Sequence, residues 1–222
     1  MVEVIIFAEG QTEEKFIKLV VAPALRGLKV FVKPQTLNTS RDSKGGAVSF
    51  DRLKRSARNT LNQSSTVVLS TFLDLYGLDT DFPGFDEARN KPLPGGKAGH
   101  LEAALHGAIV NHVGCRPERF IPHIQPHEYE GLLFSDVTAL AGTEPGWHVF
   151  LAELAKIRQG AETPEHINGC WETRPSKRLE ILTPGYKKTR HGPLAAERIT
   201  LEVMERECHH FRGWMDRLRA LA

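Results

Sequence analysis

The fold is decided by the stretch Val4-Ile5-Ile6-Phe7-Ala8-Glu9-Gly10-Gln11-Thr12-Glu13. The apolar run from Val2 to Ala8 is typical of a strand that is covered on both faces. Gly10 allows a sharp turn, and Thr12 is a favourable first residue for the helix that follows. In an open α/β sheet, ligands bind beyond the carboxyl ends of the strands. The carboxylate of Glu9 is therefore the first candidate for chemistry.

Strand and helix patterns alternate from this stretch to residue 136. Further strands are predicted at 28–32, 66–73 and 120–124. Helices are predicted from Thr12 to Pro23, after Phe50 and around Leu101. Loop composition marks 39–46 and 76–96, and Pro122 indicates that the last strand lies at an edge. This alternation predicts an α/β fold, with a mainly parallel sheet flanked by helices.

The strand signal fades from residue 137, and amphipathic helical patterns continue to the end of the chain. We therefore expect two parts. Residues 1–136 form the α/β core, and residues 137–222 form a helical extension that packs on that core.

Composition excludes some classes of protein. The formal net charge of +2 gives no global field for nucleic acid, although a local basic face remains open. The three cysteines are far apart, which argues against a disulfide framework and suits a reducing compartment. No apolar run reaches the roughly 18 residues of a membrane span, and the first residues do not resemble a signal peptide. We expect a cytoplasmic protein.

Acidic residues follow three of the predicted strands. Glu9 follows the first, Asp74 the third, and Glu128 and Glu130 the fourth. Neighbouring parallel strands would bring these acids together, and a cation would relieve their repulsion. Oxygen ligands, without a convincing cysteine or histidine set, favour Mg²⁺ or Mn²⁺. Glu13, one helical turn beyond Glu9, is either a further ligand or a general base.

Each acid also has a simpler explanation. Glu9 and Glu13 could only favour the helix dipole, and Asp74 could only begin a turn. Glu128 and Glu130 could be exposed acids in the first turn of a helix.

Two histidine-containing motifs have the same ambiguity. His127 is either a ligand or proton shuttle, or a packing residue. The motif Cys208-His209-His210 resembles a zinc site, but adjacent helical residues point about 100° apart and cannot easily share one ion.

A basic segment near the C-terminus could hold phosphate. It contains Arg174, Lys177, Arg178, Lys187, Lys188 and Arg190, with Tyr186 and His191 among them. The alternative interpretation is a solvated basic loop.

Two motifs resemble a Toprim-like domain, the fold of topoisomerases, primases and the overcoming-lysogenization-defect nucleases. They are Glu9-Gly10-x-Thr12-Glu13 and Phe72-Leu73-Asp74-x-Tyr76-Gly77. The chain also resembles a bacterial family, domain of unknown function 4276. That likeness rests on the segments at 127–136, Pro175-Ser176-Lys177-Arg178, Pro184-Gly185-Tyr186-Lys187-Lys188 and His191-Gly192.

The resemblance implies a Toprim-like core with Mg²⁺-dependent phosphodiester chemistry. Glu9 would be the acid/base or metal-binding glutamate, and Asp74 the first aspartate of an Asp-x-Asp motif. Tyr76 replaces the second aspartate, so one metal ligand is either missing or supplied by Glu128 or Glu130. The implied catalytic residues are Glu9, Glu13, Asp74 and Glu128, the metal ligands Glu9, Asp74, Glu128 and Glu130, and the phosphate contacts Lys177, Arg178, Lys187 and His191.

Three functions are compatible with these residues. The first is a Mg²⁺-dependent nuclease that acts on nucleic acid, with an ATPase partner in phage defence implied by family analogy. The second is a non-catalytic regulatory or adaptor subunit that binds nucleic acid or an ATPase through a degenerate site. The third is an enzyme that binds a nucleotide or a small phosphate compound. The sequence specifies neither DNA nor RNA, nor the oligomeric state.

Overall fold

A computed structural model describes residues 1–37, 48–168 and 170–222, so the predicted loop at 39–46 lies outside the described residues. The strands are β1 (Val2–Ala8), β2 (Val30–Thr36), β3 (Val68–Asp74), β4 (Phe120–Ile121) and β5 (Ile124–Gln125). The helices of the N-terminal part are α1 (Gln11–Phe16), α2 (Ala22–Arg26), α3 (Phe50–Gln63), α4 (Phe85–Arg89) and α5 (Pro94–Val113). Those of the C-terminal part are α6 (Val137–Ala141), α7 (Leu151–Gln159), α8 (Pro175–Leu182), α9 (Lys188–Ile199), α10 (Leu201–Glu207) and α11 (His209–Arg219).

The strands form a parallel sheet in the order β2-β1-β3-β4, and β5 also pairs with β3. In the register of the two central strands, Val4 lies opposite Val68 and Ala8 lies opposite Phe72. Helices cover both faces of the sheet, because alternate side chains of each central strand enter two separate apolar clusters. The predicted α/β fold, with a mainly parallel sheet flanked by helices, is confirmed.

Strand β3 shows why the central strands read as continuous apolar runs. Val68 and Phe72 point into the cluster that contains α1 and the C-terminal helices. Leu69 and Leu73 point into the cluster that contains α3 and α5. All seven residues of this strand are buried. A strand that is covered on both faces needs apolar side chains in both phases of its pleat.

The first helical segment continues past Pro23, contrary to the prediction from sequence. A π-helical turn at Ile17–Val21 joins α1 to α2, and Ala22 N–H donates to the Ile17 carbonyl five residues earlier. Proline is tolerated in the first turn of a helix, where its missing N–H removes no essential bond. The shifted hydrogen bonding ahead of Pro23 gives it that position in α2.

The predicted strand at 120–124 is broken into β4 and β5 at Pro122-His123. It lies at the edge of the sheet beside β3, as Pro122 predicted. Thr71 closes the gap, because its hydroxyl donates to the His123 carbonyl and accepts from His123 N–H, each at 2.9 Å. The predicted loop at 76–96 also differs, since it contains α4 and the start of α5.

The C-terminal helices share an apolar cluster with the sheet. Phe72 contacts Phe16 of α1 and also Phe211 and Trp214 of α11, with ring centroids 5.3–6.4 Å apart. The cluster is therefore continuous across residue 136, and the division into 1–136 and 137–222 stays a prediction. Among the described residues, no helix combines the length and apolar character that crossing a bilayer requires.

Candidate functional site

Glu9 and Asp74 lie together at the carboxyl edge of the sheet. Ala8 pairs with Phe72, so Glu9 leaves β1 beside the end of β3. The Oε2 atom of Glu9 is 3.4 Å from the backbone nitrogen of Asp74. Gly77 leaves room for this carboxylate, since a Cβ at that position would overlap it. Parallel pairing of the two strands thus produces the convergence that the sequence predicted.

The segment after β5 brings two more acids to this edge. His127 has a positive φ of 61°, and after it the chain enters a 3₁₀ helix at Tyr129–Ser135. The backbone N–H of Tyr129 donates to Asp74 Oδ1 at 2.8 Å. Glu128 and Glu130 are 5% and 0% exposed. The alternative interpretation of Glu128 and Glu130 as exposed helix acids is therefore wrong.

Glu13 both caps the start of α1 and lies beside the other acids at this edge of the sheet. Its Oε2 accepts from Gly10 N–H at 3.0 Å, which satisfies a free donor at the start of α1. The N-cap of α1, the residue just before Gln11, is Gly10 and not Thr12. Glu13 is buried, and burial together with the charge of Glu9 raises its pKa.

Burial and mutual repulsion raise the pKa of the other acids as well. The pKa of Asp74 lies well above its ordinary value, because the group is buried and faces Glu9 and Glu13. Burial also raises the pKa of Glu9, and Glu130 adds to that effect. The pKa of Glu130 is raised to about 7 by burial, although a nearby lysine opposes the shift. These carboxylates resist ionisation unless a cation joins them.

Two cations contact the acids, and both belong to the basic segment that the sequence analysis identified, although neither is among the four phosphate contacts that the family resemblance implied. The ammonium of Lys188 lies 3.3 Å from Glu130 Oε1, and Arg174 Nε lies 3.1 Å from Glu128 Oε1. Burial alone would lower the pKa of Lys188, but Glu130 and Glu128 raise it above its ordinary value. Among the described residues, these two cations pair with two of the five acids.

The residues predicted to hold phosphate, Lys177, Arg178, Lys187 and His191, have other partners in the structure. Lys177 pairs with Glu180 at 3.0 Å, and Arg178 donates to the Thr173 carbonyl at 2.5 Å. His191 is buried, and its Nδ1 accepts from the exposed Lys187 through the backbone N–H. Their predicted role in phosphate binding stays a prediction.

The donor set of the cluster suits a hard divalent cation. All of its donors are oxygen atoms, as Mg²⁺ and Mn²⁺ prefer. Apart from the Lys188 ammonium beside Oε1, the carboxylate oxygens of Glu130 have no hydrogen-bond partner among the described residues, and neither do the buried hydroxyls of Tyr129 and Tyr186. Buried oxygens that lack donors are the groups that a bound cation would satisfy. The chemistry of these residues therefore fits the Mg²⁺ or Mn²⁺ that the sequence implied.

A second group of potential metal ligands lies away from the carboxylate cluster. It is the one group of three His, Cys, Asp or Glu side chains among the described residues whose ligand atoms all lie within 4.8 Å of one another. It consists of Glu102, His123 and His210. The sequence analysis identified no convincing histidine set, whereas the structure brings this candidate group together. Its members come from α5, the β4–β5 connection and α11, so no local spacing in the sequence reveals them.

An aromatic and basic rim borders Glu128. Trp171 is 59% exposed, and the guanidinium of Arg174 lies 3.6 Å from the centre of its indole ring. Tyr76, two residues after Asp74, has its ring 6.1 Å from that of Trp171. The hydroxyl of Tyr76 bonds with Asn168. An exposed ring beside a cluster of acids is a surface on which a base could stack.

Glu130→Gln is expected to change how stability depends on pH in the metal-free protein. The folded Glu130 carboxyl keeps its proton up to about pH 7, whereas its ordinary pKa is 4.5. Between these values the folded state binds more protons, so Glu130 lowers the unfolding free energy as pH rises. The variant should therefore gain about 2–3 kcal/mol relative to the parent between roughly pH 5 and pH 8.

Urea unfolding in EDTA at both pH values measures this difference. Glu3→Gln is the control, because Glu3 forms an exposed ion pair with Lys33 on β2. A difference between parent and Glu130→Gln that stays constant with pH would contradict the raised pKa.

Comparison with known proteins yields a family match. The model of a family described as a domain of unknown function (DUF4276) matches residues 8–219, which is nearly the whole chain. Neither a curated protein nor a solved structure matches the chain.

Proposed function

The chain belongs to the family described as a domain of unknown function (DUF4276), and we propose that it is a Mg²⁺-dependent nuclease or related phosphodiester hydrolase of Toprim-like fold. One observation carries this proposal. Five carboxylates lie at the carboxyl edge of the parallel sheet, where burial and mutual repulsion raise the pKa of Glu9, Glu13, Asp74 and Glu130. Four of the five are buried and one is partly buried, namely Glu13, Asp74, Glu128, Glu130 and Glu9. Such a cluster is unfavourable without a cation.

Glu9, Asp74, Glu128 and Glu130 would hold the ion. When bound, Mg²⁺ stabilises negative charge on phosphoryl oxygens and lowers the pKa of water. Contacts from the chain fix the acids in place. Asp74 accepts from Tyr129 N–H, and Glu128 accepts from Ser176 N–H at 3.0 Å. Glu13, oriented by Gly10 N–H, is the proposed general base.

The rim at Trp171 favours a nucleic acid as substrate over a small phosphate compound. A nucleotide chain offers both a phosphate for the cluster and a base for the exposed indole. Arg174 lies between them, since it contacts the ring and pairs with Glu128. A mononucleotide offers one base and one phosphate group, whereas a polymer repeats both along the strand.

Trp171→Ala is expected to weaken binding of single-stranded DNA or RNA by about 5- to 100-fold, because stacking on an aromatic ring contributes about 1–3 kcal/mol per base. Fluorescence anisotropy with labelled oligonucleotides in Ca²⁺ measures the affinity. Ile181→Ala is the matched control, since Ile181 is also exposed but lies on α8. If Trp171→Ala and the parent bind oligonucleotides with equal affinity, the rim at Trp171 is not part of the nucleic-acid interface.

The test of activity is cleavage of nucleic acid by the purified chain. Single- and double-stranded DNA and RNA are incubated with Mg²⁺, Mn²⁺ or EDTA, together with a chromogenic phosphodiester. We expect products with either ion and none in EDTA. The absence of cleavage on every substrate would contradict an enzymatic function of the isolated chain.

A second candidate is a non-catalytic regulatory or adaptor subunit. Tyr76 in place of the second aspartate favours it, as do the ion pairs from Lys188 and Arg174 that already neutralise part of the cluster. Its partners would be nucleic acid or an ATPase, the latter by family analogy in phage defence. Binding of oligonucleotides without turnover in the same assay supports this candidate, and robust turnover contradicts it.

The proposed location is the cytoplasm. Cys115, Cys170 and Cys208 are free thiols, and free thiols suit a reducing compartment.

A further inference from the structure

A second group of potential ligands lies apart from the carboxylate cluster. It is formed by Glu102 on α5, His123 between β4 and β5, and His210 on α11. His210 Nε2 lies 2.8 Å from Glu102 Oε1, and His123 Nδ1 lies 3.4 Å from the same oxygen. Three elements that are distant in sequence thus direct two ring nitrogens at one carboxylate oxygen.

The two ring nitrogens of His123 differ in their surroundings: Nε2 has a side-chain partner, and Nδ1 has no hydrogen-bond partner. When its Nε2 carries the ring hydrogen, Nε2 donates to Gln125 Oε1 at 3.1 Å. Its Nδ1 then presents a lone pair, and this fully buried nitrogen has no hydrogen-bond partner. A lone pair that faces a carboxylate oxygen is repelled by it.

We propose that Glu102, His123 and His210 bind a transition-metal ion of the Zn²⁺ type, with His123 Nδ1, His210 Nε2 and a Glu102 oxygen as ligands. Two imidazoles and one carboxylate suit Zn²⁺ or Co²⁺ better than Mg²⁺. Three protein ligands leave one position open, as in catalytic zinc sites. The contact between His123 Nε2 and Gln125 is the outer hydrogen bond that metal-binding histidines usually make.

The surroundings hold the ligands in place without the ion. Glu102 Oε1 also accepts from Ile124 N–H at 2.8 Å. Glu165 accepts from the N–H groups of His210 and Phe211 at 2.9 and 3.0 Å, which fixes the start of α11. The ligand positions therefore depend on hydrogen bonds that an ion would leave intact.

A cavity reaches one of the three ligands, Glu102. Its volume is about 540 Å³, and Glu102, His106 and Arg217 are among the residues that line it. Arg217 Nη2 lies 3.3 Å from Glu102 Oε2. A small anion in this cavity would meet the guanidinium and could complete the coordination of the ion.

Co²⁺ is the probe for this site, because its visible absorption reports the ligand type and the coordination number. The full chain is stripped with EDTA and titrated with Co²⁺. We expect one equivalent of Co²⁺ to give the d–d absorption of a four- or five-coordinate ion that has nitrogen ligands. Trp214 should be quenched as well, since its ring stacks on His123 with centroids 4.8 Å apart.

His210→Gln and Glu102→Gln are expected to weaken Co²⁺ binding by at least about a hundredfold. His209→Gln is the matched control, because His209 is adjacent in sequence but exposed. The double variant Glu9→Gln/Asp74→Asn should bind Co²⁺ at this site as the parent does. It thereby separates failure of this proposal from failure of the proposed nuclease function.

Two results would overturn the proposal. The first is a parent protein that gives no absorption from a Co²⁺–imidazole site, a result that does not depend on any variant folding. The second is equal Co²⁺ affinity of His209→Gln and His210→Gln, with circular dichroism in EDTA showing that both are folded.

Discussion

Glu9→Gln and Asp74→Asn are each expected to reduce Mg²⁺-dependent phosphodiester cleavage by at least about a thousandfold in kcat/KM. A bound ion contributes several kcal/mol of charge stabilisation in the transition state, and each 1.36 kcal/mol is a factor of ten in rate. Glu9 and Asp74 come from the two central strands of the sheet. Loss of either carboxylate removes an ionic ligand from the proposed site.

Both substitutions are chosen because the amide keeps the local hydrogen bonding. Asp74 Oδ1 accepts from Tyr129 N–H, and the amide oxygen of asparagine can accept the same bond. The glutamine oxygen at position 9 can likewise face the backbone nitrogen of residue 74. The pKa of each carboxyl is raised in the folded protein. Removing the charge should therefore leave the unfolding free energy equal or slightly higher.

Asp79→Asn is the matched control for cleavage. Asp79 lies five residues after Asp74, and its carboxylate bonds with the adjacent Thr80. Initial rates over a range of Mg²⁺ concentrations distinguish loss of metal affinity from loss of turnover. Cleavage by Glu9→Gln or Asp74→Asn at the rate of the parent would refute the proposed mechanism, provided that thermal unfolding shows intact folding.

The sequence was most informative where a strand is buried on both faces. The apolar runs of β1 and β3 allow no other interpretation, and the acids that follow them converge because the strands pair in parallel. The direction of the basic side chains could not be predicted in the same way. Lys188 is the first residue of α9, and the packing of that helix against α1 turns its ammonium towards Glu130. Composition alone gave no reason to prefer Lys188 to Lys187.

Predictions from local sequence were wrong or incomplete where contacts distant in sequence decide the structure. Pro23 does not end the first helical segment, because the π-helical turn gives it a position in the first turn of α2. Pro122 interrupts the edge strand, but the hydroxyl of Thr71 bridges the interruption. The histidine group was missed for a related reason, since His210 and Glu102 are 108 residues apart.

Phe72→Ala is expected to lower the unfolding free energy by about 3–5 kcal/mol, the range for a large aromatic side chain removed from a core. Phe72 is fully buried at the centre of the sheet. Its ring lies 5.5 Å from that of Phe16, 5.3 Å from that of Trp214 and 5.3 Å from that of His123. Native proteins are stable by only about 5–15 kcal/mol, so this loss would leave a marginal fold.

The same variant measures how strongly the C-terminal helices depend on the sheet. Every tryptophan lies after residue 136, at positions 147, 171 and 214, whereas far-ultraviolet circular dichroism reports all helices. Because the apolar cluster around Phe72 is continuous from β3 to α11, we expect both signals to shift together to lower urea concentration. Phe31→Ala on the edge strand β2 is the control, since Phe31 is 39% exposed and should contribute less than about 1 kcal/mol. A tryptophan transition that stays at the parent's midpoint while circular dichroism shifts would mean that residues 137–222 fold independently.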